Sequence, residues 1–138
     1  MKFNTKVRYG LRVMIDIGLN DLESKGVFQK DIAFRQELSL KYLDPIIASL
    51  KTAGLVVRKG HRGGYRLARP ADRITLRDIE SAFGPGVNIV ECLNDTSCCS
   101  RIQSCRSRII WQRLNNHIVN FLEGITLQDI ISGESPGS

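Results

Sequence analysis

Residues 39–69, SLKYLDPIIASLKTAGLVVRKGHRGGYRLAR, decide the fold. In the first half Leu40, Leu43, Ile47 and Leu50 recur at helical spacing and make one apolar face. Lys41, Tyr42, Asp44, Ser49 and Lys51 fall on the remaining face. Ser39 is a candidate N-cap and Gly54 a C-terminal stop. Pro45 removes a hydrogen bond and clashes deep in a helix, so a kink or a 3₁₀ entry is expected, with Asp44 capping a helix that restarts at Pro45. In the second half, residues 55–59 and 65–69 are β-like runs joined by GHRGG, whose glycines permit positive φ in a tight turn.

Upstream, TKVRYGLRVMIDIGLNDL (residues 5–22) carries Val7, Leu11, Met14, Ile15 and Leu19 at helical spacing. Thr5 reads as its N-cap, and Lys6, Arg8 and Arg12 lie off the stripe. Ile32, Ala33 and Leu38 predict a second, short helix over 29–37. Two short helices followed by a basic hairpin are winged helix-turn-helix grammar. Residues 51–69 hold six lysines and arginines and no acid. The wider charge is as uneven: residues 1–69 carry fourteen basic against six acidic side chains, and residues 70–138 carry six against eight. A basic half suits a polyanion; a solvated basic face, or a hairpin without a partner, is the plainer alternative.

Downstream, residues 74–84 predict a helix, residues 85–105 a loop, and residues 107–125 a long helix. Ile110, Trp111, Leu114, Ile118, Phe121 and Leu122 form one broad apolar face of the long helix, opposite Arg108, Arg113, Asn115, Asn116 and Glu123. A small domain cannot cover such a face fully, so it is expected to bury itself against a second copy; packing back on its own domain is the alternative. The expected organisation is a DNA-binding domain over 1–84, a cysteine loop over 85–105, a dimerisation helix with a last short helix over 106–132, and a flexible tail over 133–138. The fold class is thus mainly α, with a small β-hairpin wing.

All four cysteines, Cys92, Cys98, Cys99 and Cys105, fall in the loop. Neither of their three-residue registers contains the C-x2-C pair usual for structural zinc. Thiolates in a loop suit a soft-metal or iron–sulfur centre, and Arg101, Arg106 and Arg108 favour the thiolate. A zinc site and bare redox thiols remain as other readings. Adjacent cysteines diverge, so one of Cys98 and Cys99 is expected to be spare.

Other classes recede. No apolar run approaches the length of a bilayer span, the N-terminus lacks a signal-peptide pattern, and the chain is read as cytoplasmic. Its two histidines, His61 and His117, belong to no Ser-His-Asp set, and there is no phosphate-cradling glycine loop; an enzyme is not expected.

The residues YLDPIIASLKTAGLVVRKGHRGGYRLARPADRITLRDI (42–79), with RYGLRVMIDI near the start and ITLQDII at 125–131, resemble the IscR/NsrR/CymR-type (Rrf-two) family of winged-helix transcription regulators. The resemblance implies a homodimer joined through the long helix and a palindromic duplex operator. On that reading Lys6, Arg8, Lys41, Lys51, Arg58 and Lys59 would hold phosphates, Tyr42 and Asp44 would face the major groove, and Ser39 joins the DNA-binding set. The wing tip, His61 and Arg62, would enter a minor groove. Cluster-binding members carry three cysteines before the long helix, commonly as C-x6-C-x5-C, which selects Cys92, Cys99 and Cys105, with Cys98 as extra or fourth ligand. A [2Fe-2S] cluster is favoured over [4Fe-4S], sensing iron, redox state or nitric oxide. The positions from which members give a fourth ligand hold Arg8 and Arg108, and members often have glutamine where this chain has Pro45. A cluster-free regulator, controlled by a protein or metabolite partner or by thiol oxidation, is the alternative.

Overall fold

The computed structural model describes residues 3–89 and 105–133; Cys92, Cys98 and Cys99 lie outside them, as does the expected tail beyond Gly133. The elements run α1 (Thr5–Asn20), α2 (Gln29–Gln36), α3 (Leu40–Thr52), β1 (Val56–Arg58), β2 (Tyr65–Leu67), α4 (Leu76–Ser81), α5 (Arg106–Gly124) and α6 (Leu127–Ser132). A single core joins Val13, Met14 and Ile17 of α1, Ile32 of α2, Leu43 and Leu50 of α3, and Ile74, Ile79 and Leu127 beyond the hairpin. Each fully buried aliphatic side chain there contributes about 1.5–3 kcal/mol.

Local chemistry moves several expected boundaries. Asn4, not Thr5, caps α1, its Oδ1 accepting from the Val7 N–H at 2.8 Å. The helix ends at Asn20 because Asp21 turns its carboxylate to the Gly26 N–H (2.7 Å) and to Arg66 (2.8 Å). Ser39 caps α3 as expected, accepting from the Tyr42 N–H. Pro45, however, does not restart the helix, nor is there a 3₁₀ entry: α3 is continuous from Leu40 to Thr52. The ring lies on an exposed face, and the Lys41 carbonyl it leaves without a helical donor belongs to an exposed residue, open to solvent. Asp44 is therefore no cap, and its carboxylate accepts from the Gln29 amide instead.

The hairpin pairs Val56 with Leu67, Val57 with Arg66 and Arg58 with Tyr65. Val27 adds an isolated bridge to the hairpin, exchanging two 2.8 Å backbone hydrogen bonds with Tyr65. The paired glycines of the turn are not there for positive φ; in GHRGG only Gly60 adopts it. Gly63 and Gly64 are demanded by close approach: a β-carbon on Gly63 would stand 1.6 Å from the Lys59 carbonyl oxygen, and one on Gly64 2.5 Å from the Val27 nitrogen.

The two near-identical segments ITLRDI (74–79) and ITLQDI (125–130) start α4 and α6 in the same way. Each threonine caps its helix in a reciprocal box with the aspartate three residues on. They face each other as an antiparallel pair: Leu76 N–H to the Ile125 carbonyl and Leu127 N–H to the Ile74 carbonyl, both 2.8 Å. Ile74 is thereby held extended, so the helix expected over 74–84 starts only at Leu76. This clasp anchors the C-terminal end of α5 to the domain. No helix among the described residues is long and apolar enough to cross a membrane.

Candidate nucleic-acid interface and the exposed long helix

Helices α2 and α3 are joined by Glu37 in the left-handed region, Leu38 and the cap Ser39. Their orientation is fixed from α1. Asp16 is 2% exposed, and its carboxylate accepts from Arg35 Nε (3.0 Å), Arg35 Nη2 (2.7 Å) and Gln36 Nε2 (2.9 Å). The Asp16 hydrogen bond raises the Arg35 pKa above its ordinary value. Arg12 donates to the Gln36 carbonyl at 2.7 Å and to its side-chain oxygen at 3.0 Å, placing a cation at the negative end of α2. The same guanidinium lies 4.8 Å above the Tyr9 ring, which meets Tyr42 edge-on with centroids 5.6 Å apart.

At a helical 100° per residue, the buried row Leu43, Ile46, Ile47 and Leu50 points one way and Lys41, Pro45, Ala48 and Thr52 the opposite way. Tyr42 and Ser49 lie on the flank toward α1. Asp44 and Lys51 lie on the flank toward α2 and the wing, where Lys51 and Arg58 stand 5.9 and 5.8 Å from the centre of the Tyr65 ring. Arg58 also donates to the Gly63 carbonyl (3.2 Å), and Lys59 reaches the Ser24 carbonyl (2.5 Å). His61 and Arg62 are exposed at the wing tip.

The second notable surface is α5. It meets the domain through α4 and the clasp, with Arg77 paired to Glu123 and the buried Asn115 accepting from the Ile89 N–H at 3.1 Å. Most of its apolar face is bare: Ile110 is 56% exposed, Trp111 40% and Phe121 62%, while Leu122 is buried within its own chain. Between α1, α4 and α5 runs an almost wholly apolar groove of about 470 Å³, bounded by Phe3, Val7, Leu11, Ile118 and Phe121. Glu80 lines it 7% exposed, one carboxylate oxygen without a partner; burial raises its pKa above the ordinary glutamate value, against the lowering effects of Arg77 and Ser81. Cys105 is the N-cap residue of α5, its Sγ 3.0 Å from Ser107 Oγ.

The profile of the Rrf2 family, described as an iron-dependent transcriptional regulator, matches residues 3–133. The chain belongs to the Rrf2 family. It is 37% identical over 136 residues to the protein rrf2 of Nitratidesulfovibrio vulgaris, covering 98% of this chain and 90% of that one. Among solved structures, IscR of T. potens superposes with a TM-score of 0.74 at 30% identity, covering 96% of this chain and 88% of that one. CymR, the global cysteine regulator of B. subtilis, superposes with a TM-score of 0.74 at 31% identity, covering 98% and 99%. The chain is accordingly a DNA-binding transcription regulator with the winged-helix fold, and not an enzyme.

For this Rrf2 protein the structure places Asp44 and Arg58 around one hollow between α2, α3 and the wing, Lys51 and Arg58 beside the Tyr65 ring, and Tyr42 on the other flank of α3 against Tyr9. Ser39, Lys41, Lys59, His61 and Arg62 are exposed. Lys6 is exposed on the first turn of α1. Arg8 faces elsewhere: it borders the apolar groove beside α5 and donates to Thr5 Oγ1 at 3.4 Å. Sequence reasoning missed the Asp16–Arg35–Gln36 network, because partners 19 and 20 residues apart carry no local signal. It also missed the outward position of Pro45 and Ala48, and Ile109, which is as exposed on α5 as its neighbours. Among the described residues no three His, Cys, Asp or Glu side chains gather to hold a metal. Of the expected ligands Cys92, Cys99 and Cys105, and their alternative Cys98, Cys105 alone falls within them.

Proposed function

We propose that this Rrf2 regulator is a cytoplasmic homodimer that grips a palindromic duplex with α3 and the wing, and that a [2Fe-2S] cluster on Cys92, Cys99 and Cys105 controls the grip. The observation that carries the reading is the place of Cys105: it ends the cysteine segment and stands at the N-cap position of α5, whose apolar face is largely bare. A thiolate there meets the positive end of the helix, so the residue suits a ligand to iron. When bound, the cluster supplies a redox- and nitric-oxide-sensitive centre. The chain's own part is to hold three sulfurs, with Cys98 in reserve, and to pass any reordering of the segment into the first turn of α5. Because α5 is the surface through which two copies pair, a change in its entry alters the separation of two recognition helices. Lys41, Lys51 and Arg62 hold phosphates and the minor groove, setting affinity and its salt dependence.

Likeness to CymR supports a second reading, in which the cysteines act as thiols without a cluster. Protein purified without oxygen separates the two. Visible absorbance with about two iron and two sulfide per chain, and a gel shift that changes when the cluster is removed, supports the first; colourless protein that cannot be reconstituted supports the second.

A further inference from the structure

Recognition helices read bases through the side chains that point away from their own core, near the N-terminal end. In α3 those are Lys41, Pro45 and Ala48, four and three residues apart and all exposed. The other polar side chains at this end lie on the flanks: Tyr42 meets Tyr9 edge-on, and Asp44 accepts from the Gln29 amide. What projects outward past Lys41 is a proline ring and a single methyl. Neither can pair with a base edge, and both are short enough to let the helix backbone approach the groove floor. Pro45 belongs to no buried cluster, so packing gives no reason for an imino acid at the sixth position of a continuous helix.

In the major groove the bases present one apolar group, the C5-methyl of thymine. We infer that Pro45 and Ala48 read thymine methyl groups, so that each half-site of the operator carries thymine where these residues face it, with Lys41 on the adjoining phosphate. This rests on α3 being the recognition helix, and it assigns to Pro45 a discriminating role that a glutamine at the same place would fill by hydrogen bonding.

The experiment uses the full-length protein to select duplexes from a random library, then replaces each thymine of the selected half-site by deoxyuridine. That change removes the methyl and leaves every hydrogen-bonding group. Binding of the unaltered protein is expected to weaken about fourfold at one or two thymines per half-site, the effect of one buried methyl. In Pro45→Ser and Ala48→Ser the sensitivity disappears at one thymine each and persists at the other. A selected duplex indifferent to every deoxyuridine overturns this inference and leaves DNA binding standing, as does sensitivity that survives both substitutions. Failure to select any sequence overturns both.

Discussion

Gly64 is packed against Val27 so closely that a β-carbon on it would stand 2.5 Å from the Val27 nitrogen and 2.7 Å from the Gly26 carbonyl carbon. The neighbours are backbone, which cannot swing aside. Gly64→Ala is therefore expected to break the two hydrogen bonds between Val27 and Tyr65 and lift the wing off the helices. The cost is about 1–3 kcal/mol, as for overpacking a tight contact. Urea denaturation reads it as a lower midpoint, and DNA affinity falls with it. Gly54→Ala, whose β-carbon would meet nothing within 4 Å, separates the two effects: it pays only for its φ of +76°.

The Asp16 carboxylate ties α1 to α2 from a fully covered position. Asp16→Ala removes three acceptor contacts and leaves Arg35 without its partner. The Arg35 side chain is 37% exposed and can turn to water, so the loss is about 1–3 kcal/mol rather than that of a stranded buried charge. Thermal unfolding followed by circular dichroism measures it. Asp16→Asn, which keeps one acceptor, is expected to fall between the two proteins.

Pro45 gives the opposite sign. A residue with an N–H at position 45 restores the hydrogen bond to the Lys41 carbonyl and relieves the ring's clash with that turn. Pro45→Ala is expected to raise stability by up to about 3 kcal/mol, the cost of proline in a helix interior. The measure is a higher denaturation midpoint at unchanged slope. No gain would mean that α3 has already relaxed around the ring.

These positions also show what the sequence made legible. The apolar periodicity of α3 and α5 and the glycine-bracketed hairpin are local signals, and each led to the right element in the right place. Periodicity divides core from non-core, but it does not say which non-core residues a neighbouring element will claim. Tyr42 and Asp44 are exposed like Lys41, yet Tyr9 packs against the first and Gln29 donates to the second. The turn glycines were recognised as required for a reason of local conformation, whereas Gly63 answers to its own loop backbone at Lys59 and Gly64 to the chain at Gly26 and Val27, 37 residues upstream of it. The clasp between Thr75 and Thr126 was written twice in the sequence as ITLxDI, yet its pairing is a tertiary fact.

Glu80 makes stability depend on pH. Its folded-state pKa is raised by burial, so the folded chain holds a proton more tightly than the unfolded one. The protonated form is favoured on folding; its contribution is present at acid pH and fades as pH rises from the ordinary glutamate value through the raised one. Glu80→Gln, which cannot ionise, is expected to unfold at a higher temperature than the natural chain near neutral pH. The gap should close as pH falls below about 4.5. Melting curves across that range check it; a gap that widens on acidification would refute it.

The bare face of α5 is the lever of the proposed sensor, and it is testable apart from any cluster. Ile110 and Phe121 lie eleven residues apart on the same side, three turns along the helix, and among the described residues each stays more than half exposed, at 56% and 62%. A charge at Ile110 disturbs little of the monomer's own packing, and one at Phe121 touches only the rim of the apolar groove, but neither can be buried against a second copy without a large desolvation cost. Ile110→Asp and Phe121→Asp are therefore expected to halve the mass seen by sedimentation while leaving the circular dichroism spectrum unchanged. A monomer carries one recognition helix instead of two, so the slope of log affinity against log salt for DNA should fall to about half. Leu122→Asp is the contrast: that side chain is buried within its own chain, and its replacement should lower folding stability rather than produce a folded monomer. If both exposed-site variants stay dimeric, the two subunits meet through another surface, and a change at Cys105 has no route to the spacing of the recognition helices.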